Sequence, residues 1–103
     1  MPPHVAITWS PRALDRVAEV AQTIAQDRPK VVLRWLEEIM ERVELLAAAP
    51  KQGRVVPELG RPEIREIFFG KYRVIYRVEV EQLVVLTVRH ARRLFDPLEV
   101  EDE

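Results

Sequence analysis

Apolar and polar positions alternate along residues 64–93, IREIFFGKYRVIYRVEVEQLVVLTVRHARR, and the alternation predicts three strands joined by two tight turns. Ile64–Phe69 runs into Gly70-Lys71, Tyr72–Glu79 follows, Val80-Glu81 turns, and Gln82–His90 returns. Two-residue hairpin loops fix the register and so the faces. One face then gathers Ile67, Phe69, Tyr72, Val74, Tyr76, Val78, Leu83 and Val85, a core face. The other gathers Glu66, Phe68, Arg73, Ile75, Arg77, Val84, Leu86, Val88 and His90. It is apolar in its middle yet carries two arginines, a carboxylate and an imidazole, which is neither plain core nor plain solvent face. It reads as a partner or substrate surface.

Upstream the period changes from two to that of a helix. HVAITW, His4–Trp9, is β-prone and predicts a first strand ended by Ser10-Pro11. Serine before proline starts a helix well: the hydroxyl caps an orphan N–H, and proline at the first position has no N–H to leave unpaired. Leu14, Val17, Ala18, Ala21, Ile24 and Ala25 make the stripe of a helix over Pro11–Gln26. After Asp27-Arg28-Pro29, with Asp27 the expected cap, Val32, Trp35, Leu36, Ile39, Val43 and Leu46 make the stripe of a second, Pro29–Ala48, closed by Pro50 and Gly53. Arg34–Glu38 and Glu38–Arg42 are spaced to pair, each for about 0.2–0.5 kcal/mol. So short a connection makes the two an antiparallel hairpin. Trp9 and Trp35 read as core residues. RVVPELG, Arg54–Gly60, is a connector in which Val55-Val56 adds a brief strand.

The expected fold is therefore α+β, in the order β-α-α-β-β-β. The first strand joins a mostly antiparallel sheet, the helical hairpin packs on one face, and the other face is left open. A chain of 103 residues is one domain. Residues 1–95 form it, and 96–103 are expected to be a loose acidic tail after the breaker Asp96-Pro97.

Composition narrows the chemistry. No cysteine is present, and the two histidines, His4 and His90, lie far apart in the chain, so no metal is expected. Glycine-rich phosphate loops and a nucleophile elbow are absent, so no cofactor is expected either. No apolar run is long enough for a bilayer and the N-terminus does not read as a signal peptide, which points to the cytoplasm and away from a membrane. The net charge of −1 hides a segregation: without Glu99, Glu101, Asp102 and Glu103, 16 basic residues face 13 acidic ones. The sheet half is basic and the tail acidic, a balance that favours phosphates or acidic proteins as partners, or merely keeps an exposed sheet in solution.

Arg73, Arg77 and His90 share a predicted face. Guanidinium groups bind phosphate and an imidazole moves protons at neutral pH. Equally, Arg73 and Arg77 flank Glu66 diagonally and form a cross-strand charge network, the reading that spacing alone favours. Glu58 is a candidate general base or an ordinary loop carboxylate. Arg89, Arg92 and Arg93 cluster at the last strand end, as a nucleic-acid or target contact or as a solvated terminus.

These strings carry a family likeness. GKYRVIYRVEVEQLVVLTVRHARRL, with PELG-RPEIRE before it and SPRALDRVAEVAQTIAQ near the start, resembles the RelE/ParE superfamily of bacterial toxins, over nearly the whole chain to about Phe95. The resemblance implies a small α+β toxin neutralised by a cognate antitoxin, with Phe68, Ile75, Leu86 and Val88 as the expected antitoxin seam. It implies one of two mechanisms. RelE-like members cleave messenger RNA on the ribosome; ParE-like members poison DNA gyrase. In the first case Arg73 matches an arginine that stabilises phosphate charge, His90 falls within a residue of a general acid, and Glu58 lies in the region of the base. Departures weaken that case: Glu66 and Phe68 stand near where the nuclease branch places lysines, and no tyrosine follows Arg93. Gyrase poisoning through Arg77, Arg89, Arg92 and Arg93 therefore ranks first. Metal-independent mRNA cleavage on the ribosome ranks second, and a non-toxic binding module is the remaining alternative.

Overall fold

A computed structural model describes residues 4–100 of the chain. The first strand, β1, is Ala6–Trp9, and helix α1 spans Pro11–Asp27. A 3-10 turn at Pro29–Val31 leads into α2, Val32–Glu44, which tightens into a second 3-10 turn at Leu45–Ala47. Strands β2 (Arg54–Val55), β3 (Ile64–Phe69), β4 (Tyr72–Val78) and β5 (Gln82–His90) follow, and a 3-10 turn at Pro97–Glu99 ends the described chain. The sheet order is β1-β5-β4-β3-β2, with β1 parallel to β5 and the other pairs antiparallel. This is the expected α+β architecture.

Helix α1 begins as the Ser10-Pro11 signature predicts: Ser10 Oγ accepts from the Ala13 N–H at 3.0 Å. Asp27 does not cap the second helix. It is the last residue of α1, and the 3-10 turn at Pro29 has no side-chain cap. Ala13 and Val17 of α1 and Ile39 and Val43 of α2 meet Val74, Tyr76, Leu83 and Val85 of the sheet in the main core. Each fully buried aliphatic side chain there contributes about 1.5–3 kcal/mol. Arg34 pairs with Glu38 at 3.3 Å, whereas Arg42 turns away from Glu38 and donates to the Phe68 carbonyl at 2.9 Å.

The β3–β4 hairpin has the expected register throughout, and the β4–β5 hairpin has it from the turn to Tyr76 and Val85. Phe69 faces Tyr72 across Gly70-Lys71, and Gly70 takes the positive φ, 57°, that a two-residue loop needs. Glu79 N–H donates to the Gln82 carbonyl at 2.9 Å across Val80-Glu81. The eight residues expected on the core face all pack there.

The other face departs from expectation in two ways. First, β5 contains a bulge: Tyr76 faces Val85 but Ile75 faces Thr87, so Leu86 is an extra residue. The slip turns Val88 and His90 onto the helix side, where Val88 joins the main core and His90 pairs with Tyr72. Ser10 stabilises this bulge, since its hydroxyl donates to the Leu86 carbonyl at 3.0 Å while capping α1. Second, this face is not open. Val56 and Leu59 from the connector and Phe95 and Val100 from the C-terminal segment cover Ile64, Ile75, Val84 and Leu86 in a second core. The C-terminal segment is therefore docked as far as Val100 and not loose; Glu101, Asp102 and Glu103 lie outside the described residues.

Candidate functional site

Arg73, the second residue of β4, sits on the second face, its side chain 7% exposed. Diagonally across on β3 lies Glu66, whose carboxylate is fully buried. Arg73 Nε donates to Glu66 Oε1 at 2.6 Å, and its two terminal nitrogens donate to the two oxygens of Glu58 at 3.0 and 2.8 Å. Arg54 Nε donates to the second oxygen of Glu66 at 2.6 Å, with its guanidinium over the Phe68 ring. The Phe95 ring lies over Arg73, 5.5 Å from centroid to guanidinium carbon. Two cations and two carboxylates thus balance in a closed network. The hydrogen bonds from Arg73 hold the Glu58 carboxyl below its usual range, against a smaller opposing effect of burial.

His90 is elsewhere. Its ring stands edge to face on Tyr72, 5.6 Å between centroids, and Tyr72 stands in the same way on Trp35. Its Nδ1 accepts from the Arg92 N–H at 3.1 Å. Of the three residues considered for RNA cleavage, Glu58 and Arg73 come together on one face and His90 lies on the other. A base matched to neutral pH needs a raised carboxyl pKa, and that of Glu58 is lowered. A phosphate could reach Arg73 only by displacing Glu58. Arg77, expected beside Glu66, pairs with Glu79 at 2.7 Å instead.

The four residues of the expected antitoxin seam are split. Ile75, Leu86 and Val88 are buried within the two cores, and only Phe68, 43% exposed, reaches solvent. The bulge separates Val88 from the others, and the C-terminal segment covers Ile75 and Leu86.

The basic cluster at the end of β5 also divides. Arg89 is buried; one terminal nitrogen meets Glu99 Oε2 at 3.2 Å and the other donates to the Leu94 carbonyl. Arg92 and Arg93 are exposed, as is Lys71 at the tip of the β3–β4 turn. Two shallow clefts open here. One of about 280 Å³ is lined by Arg16, Thr23, Tyr72, Arg93 and Glu99 among others, and one of about 300 Å³ by Lys71, His90, Ala91 and Arg92. His90 forms a wall of both.

Glu99 was not anticipated as a site residue. It receives Thr87 Oγ1 at 2.7 Å and Arg16 Nε and Nη2 at 3.4 and 3.2 Å, besides Arg89. Burial raises its carboxyl pKa, but the hydrogen bonds from Arg16 and Thr87 outweigh that and leave it lowered. The signal was present in Asp96-Pro97, which repeats the Ser10-Pro11 pattern: Asp96 Oδ1 accepts from the Leu98 N–H at 3.0 Å and starts a short turn.

Among the described residues no group of three or more His, Cys, Asp or Glu side chains could hold a metal ion, and no helix is long and apolar enough to cross a membrane.

The family of ParE toxins of the type II toxin–antitoxin system parDE matches residues 7–95. No curated protein matches the chain. Among solved structures, a chromosomal ParDE toxin–antitoxin system from P. aeruginosa superposes with a TM-score of 0.73 at 17% identity, over 86% of this chain and 98% of that one. A mutant of the E. coli toxin RelE in the free state gives 0.62 at 17% identity, over 86% and 85%. The toxin–antitoxin complex RelBE2 from Mycobacterium tuberculosis gives 0.57 at 19% identity, over 86% and 99%.

Proposed function

The chain belongs to the ParE toxin family of type II toxin–antitoxin systems, and from that premise we propose that it arrests growth by poisoning DNA gyrase and that a cognate antitoxin neutralises it. The observation that carries the mechanism is the separation of His90 from Arg73 and Glu58 by the sheet. Metal-free cleavage of RNA needs a base for the 2′-hydroxyl, an acid for the leaving oxygen and cations for the charged phosphorane, all around one phosphate. Here the acid is on the wrong face, the base is weakened, and the cation is consumed by two carboxylates.

Poisoning a topoisomerase needs a complementary surface and no such constellation. The exposed cations Arg92, Arg93 and Lys71, with the solvent-facing Leu94 between strand end and C-terminal turn, supply one that suits an acidic protein surface. For the antitoxin, the exposed Phe68 beside Arg54 offers an aromatic anchor at the β3 edge, where β2 pairs only with Arg65 and Glu66.

The test uses toxicity in cells. Glu58→Gln and His90→Gln remove the proposed base and acid of the alternative nuclease while keeping shape. Growth arrest by both variants is the expected result. Loss of arrest in both, with folding intact, makes the protein a ribosome-dependent messenger RNA nuclease.

A further inference from the structure

We propose that residues 91–98 are a pre-shaped contact loop for the protein target of this toxin, and that Glu99, clamped by Arg16 and Arg89, is the positioning residue that holds the loop in shape. The inference deepens the gyrase reading, because it names the part of the surface that meets the target and what keeps it ready.

The loop is fastened from behind at nearly every second residue. Arg89 holds its middle and the residue just past its end at once, donating to the Leu94 carbonyl and pairing with Glu99 at 3.2 Å. Phe95 lies over Arg73. Arg12 donates to the Leu98 carbonyl at 3.0 Å, Asp96 caps the Leu98 N–H, and Val100 is buried in the second core. What the loop presents outward is different in kind: Leu94 is 91% exposed and Leu98 67% exposed, with the exposed Arg92 and Arg93 adjoining. Leucines this exposed on a loop whose backbone is tied down stabilise little within the chain. They suit a partner, since a contact loop already in its bound shape loses little entropy on docking.

The chemistry names the kind of partner. Two apolar knobs beside two guanidinium groups fit a shallow apolar recess rimmed by carboxylates. A fixed loop that docks on an already folded target leaves little to order on either side, whereas an antitoxin segment that folds on binding still bears its own ordering cost. Glu99 matters because it ties the C-terminal turn to two further elements. Arg16 belongs to α1, and Thr87 and Arg89 to β5, beyond the residues of β5 that β1 covers. Without the carboxylate, Arg16 releases the turn, and Arg89 keeps only its bond to Leu94.

The experiment compares the full-length wild type with Leu94→Ala, Leu98→Ala, Glu99→Gln and Arg16→Met. It reads growth arrest, inhibition of purified gyrase, antitoxin affinity, and amide exchange over residues 91–100. The leucine variants are expected to fold like wild type, keep antitoxin affinity, and need about tenfold more protein for the same inhibition, the loss of an ordinary hot spot. Glu99→Gln and Arg16→Met are expected to lose as much while exchange over the loop rises. Unchanged toxicity in both leucine variants overturns the contact loop. Glu99→Gln or Arg16→Met with faster exchange and full or increased toxicity overturns the positioning role, the latter making the segment a mask. If the wild type arrests growth without touching gyrase and the same variants still lose that arrest, the loop inference stands and the gyrase reading fails.

Discussion

Arg73 Nε donates to Glu66 Oε1 at 2.6 Å in the middle of the sheet, and the carboxylate it meets is fully buried. Removing the guanidinium would leave Glu66 inside the fold with Arg54 as its remaining cation. Arg73→Ala is therefore expected to cost about 3–5 kcal/mol, the usual consequence of stranding a buried charge. Urea unfolding of the purified protein measures it. The double variant Arg73→Met with Glu66→Leu, which removes both charges, should recover much of the loss. A toxin inactivated by Arg73→Ala would consequently say little about catalysis unless its folded fraction is known.

Ser10 joins the start of α1 to the bulge of β5 through one hydroxyl. Ser10→Ala leaves both the Ala13 N–H and the Leu86 carbonyl without their partner. The expected loss is about 2–3 kcal/mol, a helix cap and a buried carbonyl together. Ser10→Thr, which keeps the oxygen, should lose far less. Thermal melts of the three proteins decide it.

Gly53 is held by contact and not by conformation. Its φ of −72° suits any residue, but a Cβ there would stand 2.5 Å from the Tyr76 hydroxyl and 2.6 Å from the Glu66 carbonyl. Gly53→Ala is expected to destabilise by about 1–3 kcal/mol, as overpacking does. Adding Tyr76→Phe should not rescue it, because the Glu66 backbone remains in the way and Tyr76 loses its bonds to Pro50 and Gly53. A rescue to wild-type stability in denaturant titration would contradict this.

Acid should loosen the C-terminal segment. The Glu99 carboxyl is lowered in the folded protein from its ordinary value of 4.5. A group whose folded pKa is depressed adds stability above its unfolded value and loses it as pH falls through the folded one. The contribution is thus complete at neutral pH and fades below about pH 4.5. Unfolding midpoints taken from pH 7 to pH 3 should fall less steeply for Glu99→Gln than for wild type. Equal slopes would remove Glu99 from the account.

The fold was legible because its signals are local. Ser10-Pro11, the two helical stripes and the alternation either side of Gly70-Lys71 each state their element within a few residues. The bulge at Leu86 was not, because the hydroxyl that bonds it belongs to Ser10, 76 residues away in sequence. That one inserted residue moved His90 and Val88 across the sheet and broke up both the catalytic trio and the apolar seam. The C-terminal segment was misread for a different reason. Asp96-Pro97 reads as a stop signal although it has the same form as the start signal Ser10-Pro11, and acidic composition conceals that Glu99 meets Arg16 and Arg89.

Gyrase poisoning is tested by the fate of DNA in a gyrase reaction containing the purified toxin. The expected result is double-strand breaks trapped with gyrase covalently attached, suppressed by the antitoxin, while messenger RNA on programmed ribosomes stays whole. Codon-proximal cuts in that RNA, lost in Arg73→Ala and His90→Ala proteins that remain folded, with gyrase unaffected, would contradict it.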